Sequence, residues 1–171
     1  MRDDRHRWAV PADRSVIKEI GGATLQEVMP ARQTLISGIA VRETEAPLIA
    51  WPDVVITERY SLSLRRDRVL IVNGPPMADG WSDKTQRAVS DMTDGYRMFD
   101  LRGKTALQAL QRGAEIDLST PSASVARQLF GMNCLIYRID HPTDYRIHVA
   151  RAQGDALWDH IIVATQAAFA S

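Results

Sequence analysis

The sequence has few of the residues from which disulfides, metal clusters and charged interfaces are built. Cys134 is the single cysteine among 171 residues, so an internal disulfide is excluded and a cysteine zinc cluster is not expected. Neither sign of charge is in excess, because 21 Lys and Arg stand against 21 Asp and Glu. This balance gives no electrostatic reason to expect nucleic acid or an anionic membrane as a partner.

Long apolar runs are also lacking. None approaches the length that spans a bilayer. The charged start MRDDRHR has no apolar stretch after it, unlike a secretory signal. We therefore expect no membrane partner and a cytoplasmic, reducing location.

The organised part of the chain follows a mixed N-terminal segment. Residues 1–22 combine charges, Pro11 and the pair Gly21-Gly22 without a sustained apolar period, which predicts an arm that is flexible or contacts a partner. Residues 23–171 are predicted to form a single domain.

The second half of the chain alternates predicted strands and helices. Strands are predicted at 96–101, 129–140 and 145–151, and helices at 82–92, 104–112 and 153–169. A hairpin is predicted earlier, within 60–74. This order predicts an α+β fold, with helices packed on a mainly antiparallel sheet and with ferredoxin-like elements.

The tripeptide Gly103-Lys104-Thr105 could be the end of a phosphate-binding loop. The full motif needs a second glycine five residues earlier, where this chain has Met98. The preceding segment reads as an apolar strand, which lacks the backbone freedom of an anion-binding loop. The tripeptide is therefore predicted to be a strand-to-helix turn.

No residue is predicted to be catalytic, to bind a cofactor or to bind a metal. The histidines have no metal-ligand or catalytic spacing, and Cys134 lies in an apolar strand where burial is favoured over reactivity. The aspartates are scattered, and the basic residues near 97–112 alternate with acidic ones. The histidines are His6, His141, His148 and His160.

The last predicted helix, 153–169, is apolar over a wide arc. Such a helix is buried on two sides. One side must be the domain's own sheet, and the other is a possible partner interface, where tryptophan often supplies an anchor. The alternative that Trp158 completes the core stays open. The possible interface residues are Trp158, Ile162 and Phe169.

Two segments resemble the gamma subunit family of heterotetrameric sarcosine oxidase. They are DMTDGYRMFDLRGKTALQALQRGAEIDL at 91–118 and ALWDHIIVATQAAF at 156–169, with a cysteine-bearing strand and a second strand between them. The chain differs from the family at Ala114, where a cysteine is usual.

This resemblance implies a fold like the folate-binding domain of the glycine-cleavage aminomethyltransferase. It implies a noncatalytic subunit that assembles with alpha, beta and delta subunits into a complex oxidising sarcosine or a related N-methyl amine. FAD, FMN, NAD and tetrahydrofolate would be bound by the partner subunits and none by this chain. The alternative is a free-standing protein of the same fold that binds a small, folate-like ligand itself.

Overall fold

The structure, a computed structural model, describes residues 14–43, 46–114, 116–117 and 120–170. The helices are α1 (Ala106–Gln111) and α2 (Gly154–Phe169), the latter preceded by a short 3-10 turn, Arg151–Gln153. The strands are β1 (Lys18–Ile20), β2 (Ala23–Val28), β3 (Gln33–Gly38), β4 (Leu48–Ile49), β5 (Val54–Val55), β6 (Tyr60–Arg65), β7 (Arg68–Val72), β8 (Gly80–Ser82), β9 (Arg87–Asp91), β10 (Tyr96–Gly103), β11 (Ala126–Leu129), β12 (Met132–Ile139) and β13 (His141–Ala150).

The larger sheet has the order β1-β2-β10-β13-β12-β11, with β5 pairing in parallel with β12. All neighbours along the main path are antiparallel. Helix α1 follows β10, β13 lies between β10 and β12, and α2 follows β13, as in a ferredoxin-like motif. The place of the motif's last strand, beside β10, is taken by β2, which comes earlier in the chain. The predicted fold class is confirmed.

The first half of the chain contributes a second, smaller sheet with the order β4-β6-β7-β3-β9-β8. Its central hairpin β6–β7 is buried along nearly its whole length, since both strands carry apolar residues or small hydroxyl residues on both faces. A hairpin apolar on two faces has to be covered on two sides. This need gives the molecule one more layer than a helix-on-sheet domain.

Alternation along β12 divides the core between the two faces of the larger sheet. Ile136 points to the helices, while Leu135 and Tyr137 point to the smaller sheet. We call these the helix face and the inter-sheet face. The helix-face core also contains Leu25, Phe99, Leu101, Ile147, Leu110, Leu157, Trp158 and Ile161, and the inter-sheet core Tyr60, Leu62, Leu70 and Val72.

Two predicted elements are wrong. Residues 82–92 form the end of β8, a tight turn and β9, because Val89 pairs with Ile36 of the smaller sheet. Residues 129–140 do not form one strand: Phe130 and Gly131 have positive φ and form the turn between β11 and β12. In both places strand pairing across the sheet outweighs the local pattern.

The final helix and the start of the domain differ in outcome. The predicted helix 153–169 is confirmed as α2. Lys18–Ile20, which the sequence placed in the arm, pairs with β2 as a strand of the larger sheet. Residues 1–13 of the predicted arm lie outside the described residues, and the division at residue 22 otherwise stays a prediction.

Trp158 lies in the helix-face core. Its side chain is 6% exposed, and its ring centroid is 5.7 Å from that of Phe99. The guanidinium of Arg14 lies 5.3 Å from the indole centroid. Of the two roles left open by the sequence, these contacts favour the core role.

We predict that Trp158→Ala lowers the free energy of unfolding by about 3–5 kcal/mol, because it leaves a cavity beside Phe99. Val163→Ala, on the same helix but at a side chain 64% exposed, is the control and should stay within about 0.5 kcal/mol of wild type. Urea denaturation followed by circular dichroism measures both. A cost for Trp158→Ala no larger than the control's would place the indole outside the core.

Candidate functional site

Five polar side chains form a continuous hydrogen-bonded series between the two sheets, here named the inter-sheet polar chain: Arg146, Tyr60, Tyr137, His148 and Gln33. The tyrosine hydroxyl oxygens are 2.7 Å apart, and Tyr137 Oη is 2.7 Å from His148 Nε2. His148 Nδ1 is 2.7 Å from Gln33 Oε1, and Arg146 Nη1 is 3.3 Å from Tyr60 Oη. All except Arg146 are buried.

The hydrogen bonds of this chain run in one direction. The Gln33 amide nitrogen donates to the backbone carbonyls of Thr93 and Tyr96, so its oxygen faces His148 and accepts from Nδ1–H. Nε2 of the neutral ring therefore accepts from the Tyr137 hydroxyl. Tyr137 in turn accepts from Tyr60, and Tyr60 from Arg146. Both ring nitrogens of His148 are thus engaged.

The protonation states follow from burial. Desolvation, and then the positive charge of Arg146, lower the pKa of His148 to about 3, so the ring is neutral at pH 7. Burial, and then the neighbouring Tyr60, raise the pKa of Tyr137 well above its usual value. Burial lowers the pKa of Arg146, but its hydrogen bonds to Asp100 outweigh burial and raise it.

The Arg146 end of the inter-sheet polar chain reaches the surface through ion pairs. Arg146 binds both carboxylate oxygens of Asp100, at 2.6 and 2.8 Å, and Asp100 also accepts from Arg102 at 3.0 Å. Arg102 extends to Asp140 at 2.7 Å and to Asp144 at 3.4 Å. Both arginines are therefore paired with aspartates at this end, where three carboxylates face two guanidinium groups.

An open cleft of about 560 Å³ lies beside Arg102 and Asp144. Its wall is the turn between β1 and β2, with Glu19 and Thr24 on either side. Because Arg102 already has three carboxylate partners, the cleft does not present an unpaired cation to an anionic ligand.

The possible interface residues lie along one stripe of α2 with different exposures. Trp158 is buried, Ile162 is partly buried against the helix-face core, and Phe169 is 67% exposed. Phe169 lies against the turn Gly21-Gly22 at the end of β1. The stripe therefore runs beside β1, at the edge of the larger sheet, and its role as a partner interface stays a prediction.

The remaining sequence candidates are spread over the structure. His160 is exposed and stacks on Phe130, with centroids 5.2 Å apart, and His141 is exposed at the start of β13. His6 lies outside the described residues. Cys134 is buried in the helix-face core, and desolvation raises the pKa of its thiol to about 12, which makes it a poor nucleophile at neutral pH.

The tripeptide at 103–105 joins β10 to α1, as predicted. Gly103 has a φ of 120°, and the Thr105 hydroxyl donates to the carbonyl of Gly21 at 2.8 Å. Over the described ranges, no group of three or more His, Cys, Asp and Glu is arranged to hold a metal ion. Among the described residues, no helix is long and apolar enough to cross a membrane.

Sequence reasoning missed the inter-sheet polar chain. The sequence pattern places Tyr145, Ile147 and Val149 on one side of a strand and His148 on the other, polar side, as a structural or solvent-facing histidine. The smaller sheet covers the inter-sheet face, so His148 is buried; the apolar content of β6 and β7 was the signal that a second layer exists.

Comparison with known proteins relates the chain through its fold. No family model matches it, and no curated protein matches it in sequence. Among solved structures, it is similar to a chain of heterotetrameric sarcosine oxidase from Corynebacterium sp. U-96 in complex with pyrrole 2-carboxylate, with a TM-score of 0.67 and 16% identity. The match covers 93% of this chain and 91% of that chain, so the two share nearly the whole fold.

His148 predicts a specific dependence of stability on pH. Its pKa is about 3 when folded and 6.5 for the free side chain, so the unfolded state binds more protons between these values and stability rises with pH in that window. Lowering the pH from 7 to 5 should cost about 2 kcal/mol from this residue.

We predict that His148→Gln removes this component, because glutamine can accept from Tyr137 and donate to Gln33 without titrating. Urea denaturation of both proteins from pH 7 to pH 4.5 gives the difference in slope. His141→Gln, at an exposed histidine, is the matched control. Equal pH slopes for wild type and His148→Gln would show that the buried imidazole is not held neutral.

Proposed function

We propose that this chain is a noncatalytic, gamma-type subunit of a sarcosine oxidase-like heterotetramer that oxidatively demethylates sarcosine or a related N-methyl amine. The observation that supports this proposal is the shared fold with a chain of the Corynebacterium complex, over more than 90% of both chains. The sequence resemblance at 91–118 and 156–169 falls within the same fold and points to the gamma family.

The interior chemistry is consistent with a structural role. The groups best suited to acid-base or nucleophilic chemistry are committed within the chain: His148 uses both ring nitrogens, and the Cys134 thiol is buried. A general base needs a free acceptor within reach of the substrate proton. His148 could supply one only by breaking its bond to Tyr137.

The partner subunits would carry out the redox chemistry. FAD, FMN, NAD and tetrahydrofolate would be held by the alpha, beta and delta subunits, and this chain would hold none of them. The complex would be cytoplasmic. The larger partner would contact the stripe of α2 at Ile162 and Phe169, while Trp158, which is buried here, would support that surface from below.

We predict that co-expression with the alpha, beta and delta subunits from the same genome yields a complex that oxidises sarcosine, whereas the isolated chain shows neither flavin absorbance nor activity. Phe169→Ala should weaken co-purification with tagged alpha subunit. Ile56→Ala is the control, because Ile56 is 80% exposed and lies in the loop after β5, outside α2.

Melting temperatures of both variants separate folding from assembly. Failure of the wild-type chain to co-purify with any of the three subunits would overturn the proposed function. Equal loss in both variants would remove Phe169 from the interface and leave the subunit role intact.

The alternative, a free-standing protein that binds a folate-like ligand, depends on the cleft beside Arg102. Its volume, about 560 Å³, is in the range of small-molecule sites. We expect titration of the isolated chain with tetrahydrofolate, followed by calorimetry, to show no specific heat. Saturable binding that Thr24→Trp abolishes, since the bulky indole fills the cleft, would establish the alternative.

A further inference from the structure

Strand β1 is the end strand of the larger sheet, and the turn after it fixes which of its backbone groups face outward. Gly21 and Gly22 both have positive φ, 46° and 78°, as in a two-residue type I′ hairpin turn. In such a hairpin the flanking residues, Ile20 and Ala23, form a hydrogen-bonded pair. Hydrogen-bonded and non-hydrogen-bonded pairs then alternate along β1.

Glu19 is the residue of β1 whose backbone N–H and C=O groups point away from β2. It stands opposite Thr24 in a non-hydrogen-bonded pair, so its N–H and C=O face outward. The N–H and C=O of Thr24 likewise point away from β1, toward its partner Arg102 in β10. Lys18 and Glu19 are exposed, and no other described strand lies beyond this edge.

Large apolar side chains lie at both ends of this open edge. Val16 and Ile17, which lead into β1, are 66% and 57% exposed. Phe169, also largely exposed, lies against the turn at the far end of the strand. An added strand would therefore find main-chain partners in the middle and apolar contacts at both ends, as in recognition by β-strand addition.

The other sheet edges differ. The approach to β8 contains Pro75 and Pro76, and β4 is two residues long and follows Pro47. Proline and short length are devices that protect an edge from pairing. At β11, Arg127 bonds the carbonyls of Ser124 and Ala126.

We propose that the alpha subunit docks at the β1 edge, by adding an extended segment as a further strand beside Glu19. This inference rests on the proposed function. The charges define the segment: a cationic side chain would stand opposite Glu19 and an anionic one near Lys18, with apolar residues reaching Ile17 and Phe169. The backbone bonds give affinity, and the flanking contacts give specificity.

The test uses a proline that removes one outward N–H. Glu19→Pro should leave the bonds between β1 and β2 in place, because that N–H faces away from β2, and edge positions tolerate proline. Glu19→Ala is the matched control, since it removes the same charge but keeps the N–H. Lys18→Pro is a second control that removes an inward-pointing N–H and should lower the melting temperature.

Each chain is co-expressed with tagged alpha subunit and with beta and delta subunits, and retention is measured against subunit concentration. We expect Glu19→Pro to bind about tenfold more weakly than Glu19→Ala at an unchanged melting temperature, as for the loss of one main-chain hydrogen bond. Equal retention of the two variants overturns the strand-addition proposal, while no retention of wild type overturns the proposed function instead.

Hydrogen exchange of the isolated wild-type chain identifies other occupants of the edge. The Glu19 amide should exchange quickly when the chain is alone and slowly in the complex. Protection in a monomer would mean that another segment of this chain occupies the edge, and protection that grows with chain concentration would mean a second copy. Either result contradicts docking of the partner subunit there.

Discussion

The packing of the smaller sheet onto β12 and β13 is the constraint on which the rest of the structure depends. It turns two strands that already carry the helix-face core into a layer buried on both sides. Alternate residues of β13, such as Ile147 and His148, therefore meet two different environments, one among helices and one among the tyrosines of the other sheet. Strand β13, which looks amphipathic in isolation, is therefore buried on both faces along residues 147–149.

Packing the two sheets together buries the side chains of the inter-sheet polar chain. A buried polar group without a partner destabilises the fold, while a satisfied network can rigidify it. Here each member from Arg146 to Gln33 both receives and gives a hydrogen bond where its chemistry allows. Two bonds of the inter-sheet polar chain, Tyr60 to Tyr137 and His148 to Gln33, join the two sheets, so sliding one sheet against the other would break both. An apolar interface would hold the sheets together without fixing their register in this way.

The local elements were more predictable than their arrangement. The final helix and the turn at Gly103 follow from apolar spacing and glycine position. The helix predicted at 82–92 failed because Val89 and its neighbours pair with β3, a partner far away in the sequence. The burial of His148 could not be predicted for the same reason: its partners Tyr137 and Gln33 come from two other strands. Long-range pairing decides these residues, and no local pattern records it.

The side chains of the inter-sheet polar chain are hydrogen-bonded within the fold, whereas the β1 edge of the larger sheet is open among the described strands. Inside, His148 and Tyr137 bond each other, and Asp100 accepts from Arg146 and Arg102, so these groups already have partners within the fold. At the margin, Glu19 presents backbone groups that no described strand uses, beside apolar side chains that no described element covers. Free energy of association can come only from groups still in contact with water, because groups already paired gain nothing. The docking proposed for a partner subunit therefore involves the edge strand and the α2 stripe beside it, and not the buried polar residues.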